Sequence, residues 1–300
     1  MTDPVPAPPV TRAPARRWTI ANPLEIALVE WGPANGTPLI LVHGGGDFAR
    51  NFDGFAPLLA DAGWRVVAWD QRGHGDSARA ELYGWSAELR DLVGVLQAVP
   101  GGPHPVIGHS KGGVLALDVA AARPELVRAV VAIDGFIRRV HPPRPPEETA
   151  ERWLDLQRAG RTTRGGTAAE LAQGRQAANP RLEPAWMDYL VEVGADADAD
   201  GHRSWKIDPA AFPLPPHAVS LEAGLQRMAA VRCALLALKA GVEEAIAGQP
   251  SAELLRDHLP PLGRLEVLDG LGHFAHVEDP QRVAALALSF LADVLADARD

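Results

Sequence analysis

Gly108-His109-Ser110-Lys111-Gly112-Gly113 is the most informative segment of this sequence because of what flanks it. Residues 104–107 before it are short and mostly apolar, and residues 114–121 after it are rich in good helix formers. This order predicts a strand, a tight glycine turn and a helix, with Ser110 at the apex. A serine in such a turn projects its hydroxyl away from the backbone, beside the N–H groups that begin the helix.

Three further segments repeat the pattern of a buried strand that leads into a glycine-containing turn. They are residues 39–42 before His43-Gly44-Gly45-Gly46, residues 64–70 before 71–77, and residues 264–268 before 272–280. Strand-like runs that alternate with helix-like runs predict a mostly parallel sheet covered by helices. We place the strands near residues 18–21, 25–31, 39–42, 65–70, 105–107, 129–134, 234–238 and 265–268.

These four motifs, in this order, resemble the α/β-hydrolase family over roughly residue 18 to the C-terminal helix. The resemblance implies an α/β fold with an eight-stranded, mostly parallel sheet. It also implies that Ser110 is the nucleophile and that His273, which follows the last strand and a glycine, is the catalytic base. The backbone N–H groups of Gly45 and Lys111 correspond to the family's oxyanion hole.

The acid that would orient His273 has two candidate locations. In the commoner family arrangement it follows the strand before the histidine's strand, but that region contains Glu243 and Glu244 and no Asp, and Gly241 is displaced from the usual spacing. In a minority of the family it ends the strand beside the nucleophile's strand, where this sequence has Asp134. We favour Asp134 and retain Glu243 or Glu244 as the alternative acid.

Between residues 136 and 224 the alternation of strands and helices stops. By resemblance to the family, an insertion after strand six is a helical cap over the active site. We therefore expect a disordered Pro/Ala-rich tail (residues 1–17), a core (18–135 and 225–300) and a cap (136–224). Trp153, Trp186 and Trp205 are candidates for a substrate pocket, with packing within the cap as the alternative.

The resemblance implies a serine hydrolase of carboxylic esters, lactones or thioesters. Hydrolysis of a carbon–carbon bond or an amide, perhydrolysis, and a non-catalytic ligand-binding scaffold remain alternatives.

The Lys111 ammonium could reach a substrate carboxylate, but we expect it to extend to solvent. Asp47 and Arg50 could also touch substrate, but we expect them at the solvated surface.

The composition limits the possible partners. The chain has 300 residues, 47% hydrophobic and 22% charged, and its net charge of −9 favours neither nucleic acid nor anionic membranes as partners. The single Cys233 excludes an intramolecular disulfide, and the glycine turns lack phosphate-binding spacing, so we expect no cofactor and no metal. Without the apolar segment of a secretory signal, we expect a cytoplasmic protein with a small-molecule acyl substrate. The oligomeric state stays open.

Overall fold

The computed structural model describes residues 11–22, 24–81, 83–138, 147–148, 151, 165–211, 220–244 and 248–297. Its strands, in chain order, are β1 (Arg16–Asn22), β2 (Leu24–Trp31), β3 (Pro38–Val42), β4 (Arg65–Trp69), β5 (His104–His109), β6 (Val127–Ile133), β7 (Gly165–Gly166), β8 (Ala195–Ala197), β9 (Arg203–Trp205), β10 (Ala234–Ala240) and β11 (Gly263–Leu268). Eight of them form the main sheet, and β7, β9 and β8 form a separate three-stranded sheet.

The main sheet has the strand order β1-β2-β4-β3-β5-β6-β10-β11. β2 pairs antiparallel with both β1 and β4, and the other neighbours pair in parallel. Every residue of β3 and β5 is buried, as expected of parallel strands covered on both faces. The predicted eight-stranded, mostly parallel sheet is therefore confirmed, and each predicted strand corresponds to an observed one.

The described helices are α1 (Ala56–Asp61), α2 (Trp85–Ala98), α3 (Lys111–Ala122), α4 (Ala168–Ala178), α5 (Pro184–Gly194), α6 (Leu221–Ala229), α7 (Ala252–Arg256), α8 (Ala275–Glu278) and α9 (Pro280–Asp297). One apolar core joins α2, α3 and α6 to one face of the main sheet. A second core joins α1 and α9 to the other face. None of the described helices combines the length and apolarity that crossing a lipid bilayer requires.

Residues 165–211 lie between β6 and β10 and are called the insertion below; they contain α4, α5 and the small sheet. Because β6 and β10 are parallel neighbours, the insertion leaves and re-enters the main sheet between adjacent strands. An apolar cluster that includes Trp186, Met187 and Leu190 packs it against Phe48 and Val277 of the core. Trp153 and most of residues 139–164, within the predicted cap, lie outside the described residues.

The turn after β5 is packed tightly against neighbouring backbone. A Cβ atom on Gly112 would lie 2.1 Å from the carbonyl oxygen of Val42. A Cβ atom on Gly135, which follows β6, would lie 2.0 Å from the carbonyl oxygen of Ser110. Side chains of any size are therefore excluded at both positions, and the ends of β3, β5 and β6 approach one another more closely than other residues would allow.

We expect Gly112→Ala to lower the free energy of unfolding by about 2 kcal/mol or more, because the added methyl group overlaps backbone that has no room to move. The matched control is Gly174→Ala within α4, where an added Cβ meets no atom within 4 Å. That variant should gain up to about 1 kcal/mol from helix propensity. Urea unfolding of both variants measures the difference, and equal effects would contradict the packing described here.

Candidate active site

Ser110 occupies a strained backbone conformation at the end of β5. Its φ of 52° and ψ of −122° lie outside the regions that non-glycine residues ordinarily adopt. The Ser110 N–H donates to the carbonyl of Ile133 at 2.9 Å, and the Ser110 carbonyl accepts from the N–H of Gly113 at 3.0 Å. Strain of this kind amounts to about 1–3 kcal/mol and persists because the surrounding backbone holds it.

Asp134 comes directly after β6 and is buried between the central strands. Its φ is 44°, and its N–H donates to the carbonyl of Leu238 on β10 at 2.8 Å. Its Oδ1 accepts from the N–H of Ala240 at 3.1 Å. Two backbone contacts to β10 therefore fix the carboxylate and direct its second oxygen away from that strand.

The structure brings Ser110, Asp134 and His273 together. The Nδ1 atom of His273 lies 2.7 Å from Asp134 Oδ2, and its Nε2 atom lies 3.0 Å from Ser110 Oγ. A carboxylate can only accept, so the imidazole hydrogen is on Nδ1 and the Nε2 lone pair faces the serine hydroxyl. This arrangement can remove a proton from the hydroxyl.

Glu244 contacts the backbone of His273, the candidate catalytic base, and not its imidazole ring. Its Oε2 accepts from the N–H of His273 at 2.5 Å, while Glu243 is exposed. Glu278 accepts from the N–H of Gly272, and Arg181 of the insertion donates to Glu278 at 2.6 Å. The carboxylates of Glu244 and Glu278 thus fix the loop that carries His273, and no sequence motif marks Glu278 or Arg181 for this role.

Residues 43–47, called the glycine turn below, lie beside Ser110. A Cβ on Gly44 would be 3.2 Å from the Cβ of Ser110. Among the described residues, the N–H groups of Gly45 and Lys111 donate to no acceptor. Two backbone donors near the serine are therefore unpaired, and holding an oxyanion requires such donors.

The side chain of Lys111 does not extend to solvent, so that expectation was wrong. Its ammonium lies 3.0 Å from the Oε1 of Glu88, and the side chains of Lys111 and Glu88 are 20% and 6% exposed. Its stem also lies near the glycine turn, with Cδ 3.9 Å from where a Cβ on Gly45 would be. Glu88 on α2 therefore neutralises the Lys111 ammonium. In the sequence nothing about Lys111 points to this partner.

Asp47 and Arg50 are not solvated surface residues either. Asp47 is buried and pairs with Arg175 of the insertion at 3.0 Å. Burial raises the pKa of Asp47, and the Arg175 guanidinium opposes that rise. Arg50 pairs with the buried Asp53 at 2.6 Å. The expected surface positions were wrong because the insertion covers this part of the core, and no local pattern marks Arg175 as a partner.

The two described tryptophans proposed for a substrate pocket have different surroundings. Trp186 is 1% exposed, stacks on Tyr189 and donates its indole N–H to Asn51 at 3.2 Å. So little free surface favours packing over contact with substrate. Trp205 is half-buried, 6.5 Å from the ring of Phe48. Trp153 lies outside the described residues.

Two further histidines are buried behind His273. The Nε2 of His109 donates to the carbonyl of His273 at 2.9 Å. Neither ring nitrogen of His276 has a hydrogen-bond partner, and its ring lies 4.5 Å from His109 and 5.3 Å from Phe52. Burial lowers the pKa of His276 to about 3 and lowers the pKa of His109 as well. Both rings are therefore neutral at neutral pH and act as packing groups.

Comparison with known proteins identifies the family. The model of the alpha/beta hydrolase family matches residues 39–286, and the chain belongs to that family. A serine hydrolase-like protein of Danio rerio is 30% identical over 179 residues, which cover 54% of this chain and 52% of the relative. The chain thus spans about half the length of that relative.

Two other proteins match over most of this chain. The sn-1-specific diacylglycerol lipase ABHD11 of Mus musculus is 25% identical over 288 residues, which cover 90% of this chain and 85% of the lipase. The crystal structure of the hypothetical protein PA1622 from Pseudomonas aeruginosa PAO1 superposes with a TM-score of 0.80 at 27% identity, and covers 93% of this chain and 100% of that one. The observed fold is therefore that of the family.

The buried His276 generates a prediction about acid stability. Its pKa is about 6.5 in the unfolded chain and about 3 in the folded one, so only the unfolded chain binds this proton between those values. The free energy of unfolding therefore falls as pH is lowered through this window. His276→Phe should reduce that slope by up to about 1.4 kcal/mol per pH unit, without loss of stability at pH 7.

Thermal unfolding between pH 4 and 8 measures this slope. The control is His202→Ala, because the His202 side chain is 63% exposed and solvated whether the chain is folded or not. An unchanged slope in His276→Phe would mean that the buried ring becomes protonated in the folded protein.

Proposed function

We propose that this chain is a serine hydrolase that cleaves a carboxylic ester, lactone or thioester through an acyl-enzyme on Ser110. The observation that carries the proposal is the continuous hydrogen-bond chain from Ser110 Oγ through His273 to Asp134. The names of two relatives, a serine hydrolase-like protein and a diacylglycerol lipase, support the same chemistry.

In the acylation step, Ser110 Oγ forms a bond to the substrate carbonyl carbon while its proton moves to Nε2 of His273. The carbonyl oxygen becomes an oxyanion, which the N–H groups of Gly45 and Lys111 stabilise. His273 then transfers that proton to the leaving alcohol or thiol as its bond to carbon breaks. The product of this step is the acyl-enzyme.

In the deacylation step, a water molecule attacks the acyl carbon and gives its proton to Nε2 of His273. The tetrahedral intermediate uses the same two backbone donors, and its collapse returns the proton to Ser110 Oγ and releases the acid. Asp134 keeps the imidazole hydrogen on Nδ1 throughout and stabilises the imidazolium when it forms. Its burial strengthens that interaction.

We further propose that residues 136–224 form a cap that selects the substrate. The insertion, which is the longest described part of this segment, supports this because it reaches the glycine turn through Arg175 and the His273 loop through Arg181. Trp205, which is half-buried beside that turn, stays a candidate for contact with the acyl group. A panel of p-nitrophenyl esters, lactones and thioesters would define the preferred substrate.

We expect Ser110→Ala to lower kcat on the order of 10⁴-fold or more, because no other hydroxyl replaces the nucleophile. The variant should unfold at an unchanged or higher temperature. Labelling with a fluorophosphonate probe, read by peptide mass spectrometry, gives an independent measurement, since only an activated serine reacts. A wild-type protein that resists the probe and turns over no ester would instead be a non-catalytic scaffold.

The identity of the acid is tested by comparing three variants. Asp134→Asn should lower kcat on the order of 10⁴-fold, because an amide no longer holds the productive tautomer of His273. Glu244→Gln retains an oxygen for the N–H of His273, and Glu243 is exposed, so Glu244→Gln and Glu243→Gln should each lower kcat less than roughly tenfold. The reverse order of effects would move the acid to the later loop.

A further inference from the structure

The peptide group that carries the Gly45 N–H is fixed by His43. The N–H of Gln71 donates to Nε2 of His43 at 2.9 Å, so the ring hydrogen is on Nδ1. That Nδ1 donates to the carbonyl of Gly44 at 2.7 Å. The Gly44 carbonyl and the Gly45 N–H share one planar peptide group, so this contact sets the direction of the N–H that would hold the oxyanion.

The next peptide group is fixed by a second buried histidine. The N–H of Gly46 points to Nε2 of His74 at 3.4 Å, and Nδ1 of His74 donates to the carbonyl of Arg72 at 2.9 Å. Burial lowers the pKa of His74 to about 3, so the ring is neutral and its Nε2 can accept. The core therefore holds the glycine turn up to the N–H of Gly46.

The third peptide group is fixed from the insertion. Arg175, near the end of α4, donates to the carbonyl of Gly46 at 2.9 Å and to the carboxylate of Asp47 at 3.0 Å. The Arg175 side chain is 13% exposed and that of Asp47 is 2% exposed. The guanidinium also lies over the ring of Trp205, 5.3 Å from its centroid. Successive glycines have no side chains to limit their rotation, so these anchors set the shape of the turn.

We propose that Arg175 is a positioning residue for catalysis, which fixes the glycine turn so that the Gly45 N–H meets the oxyanion. By this proposal the insertion completes the active site and does more than cover it. The inference rests on the proposed function, because it assumes that Gly45 binds an oxyanion. Its own content is that a residue outside the core holds the Gly46–Asp47 end of the turn, whose other end His43 and His74 fix, and that the Gly45 N–H keeps its position only when both ends are held.

The presence of an arginine at position 175 is better explained by a need to orient the glycine turn than by a need to attach the insertion to the core. A buried ion pair gives little net stability, since desolvation offsets the attraction, and apolar side chains would hold the insertion in place equally well. Asp47 is itself fixed by the amide of Asn51, whose oxygen accepts from the indole of Trp186. The guanidinium is thus held in one orientation. Its two N–H donors bind the Gly46 carbonyl and the Asp47 carboxylate.

The experiment compares Arg175→Met, Arg175→Lys and the double variant Arg175→Met/Asp47→Asn. Methionine keeps the unbranched apolar stem of the side chain and removes both donors. We expect kcat to fall about 10- to 100-fold with KM within about threefold, as for a misplaced oxyanion donor. Lysine should recover part of kcat because one donor remains. The double variant removes the unpaired carboxylate and should keep the loss of kcat.

Binding of an arylboronic acid separates positioning from mere folding. Its adduct with Ser110 Oγ is tetrahedral and places an oxygen where the oxyanion forms, so its affinity should fall by the same factor as kcat/KM. The control Arg264→Ala removes an exposed arginine that pairs with Asp293 on the surface, and should change neither quantity. Unchanged kcat and boronate affinity in Arg175→Met, or recovery of kcat in the double variant, would overturn the proposal.

Hydrogen exchange distinguishes failure of the positioning role of Arg175 from failure of the proposed function. In Arg175→Met the amides of residues 43–48 should exchange about tenfold faster than in the wild-type protein, whether or not any ester is hydrolysed. A wild-type protein that a fluorophosphonate does not label refutes the proposed function and, with it, a catalytic role for Arg175. Labelling together with unchanged exchange in Arg175→Met refutes the positioning role alone.

Discussion

The close approach of two backbones, at Ser110 and Gly135, is the constraint on which the rest of the site depends. Gly135 leaves no room for a side chain above the carbonyl of Ser110, so the ends of β5 and β6 come together there. Asp134 is the residue before this contact, and its carboxylate is therefore held beside the nucleophile candidate. Ser110 and Asp134 both have positive φ angles, and the neighbouring strands stabilise that strain.

The sheet could be predicted because its signals are local. Continuous apolar runs that end in glycine turns identify buried parallel strands, and each run predicted as a strand is a strand of the observed sheet. The resemblance to the family led to Asp134, because in the family's sheet order the strand that Asp134 follows lies beside the nucleophile's strand. The structure brings Ser110, His273 and Asp134 within hydrogen-bonding distance, while their catalytic roles stay predictions.

The charged partners around the site could not be predicted, because their pairing is a property of the folded chain. Asp47 and Arg175 are 128 residues apart, and both resemble ordinary surface residues in the sequence. Lys111 was expected in solvent, yet Glu88 lies opposite it. The two residues of an ion pair follow no repeating pattern in the sequence, and no neighbouring residue marks them. Its location follows only from how the insertion and α2 pack on the core.

The position of His273 in the sheet has a consequence for how the proposed active site is lost on heating. His273 follows β11, which lies at the edge of the main sheet and pairs with β10 alone, whereas Ser110 and Asp134 follow central strands. Edge elements open at lower free energy than the core. Opening of β11 therefore separates the imidazole from its two partners while the central strands remain paired. Under the proposed function, we expect thermal inactivation and thermal denaturation to be two different events, the first governed by this edge of the sheet.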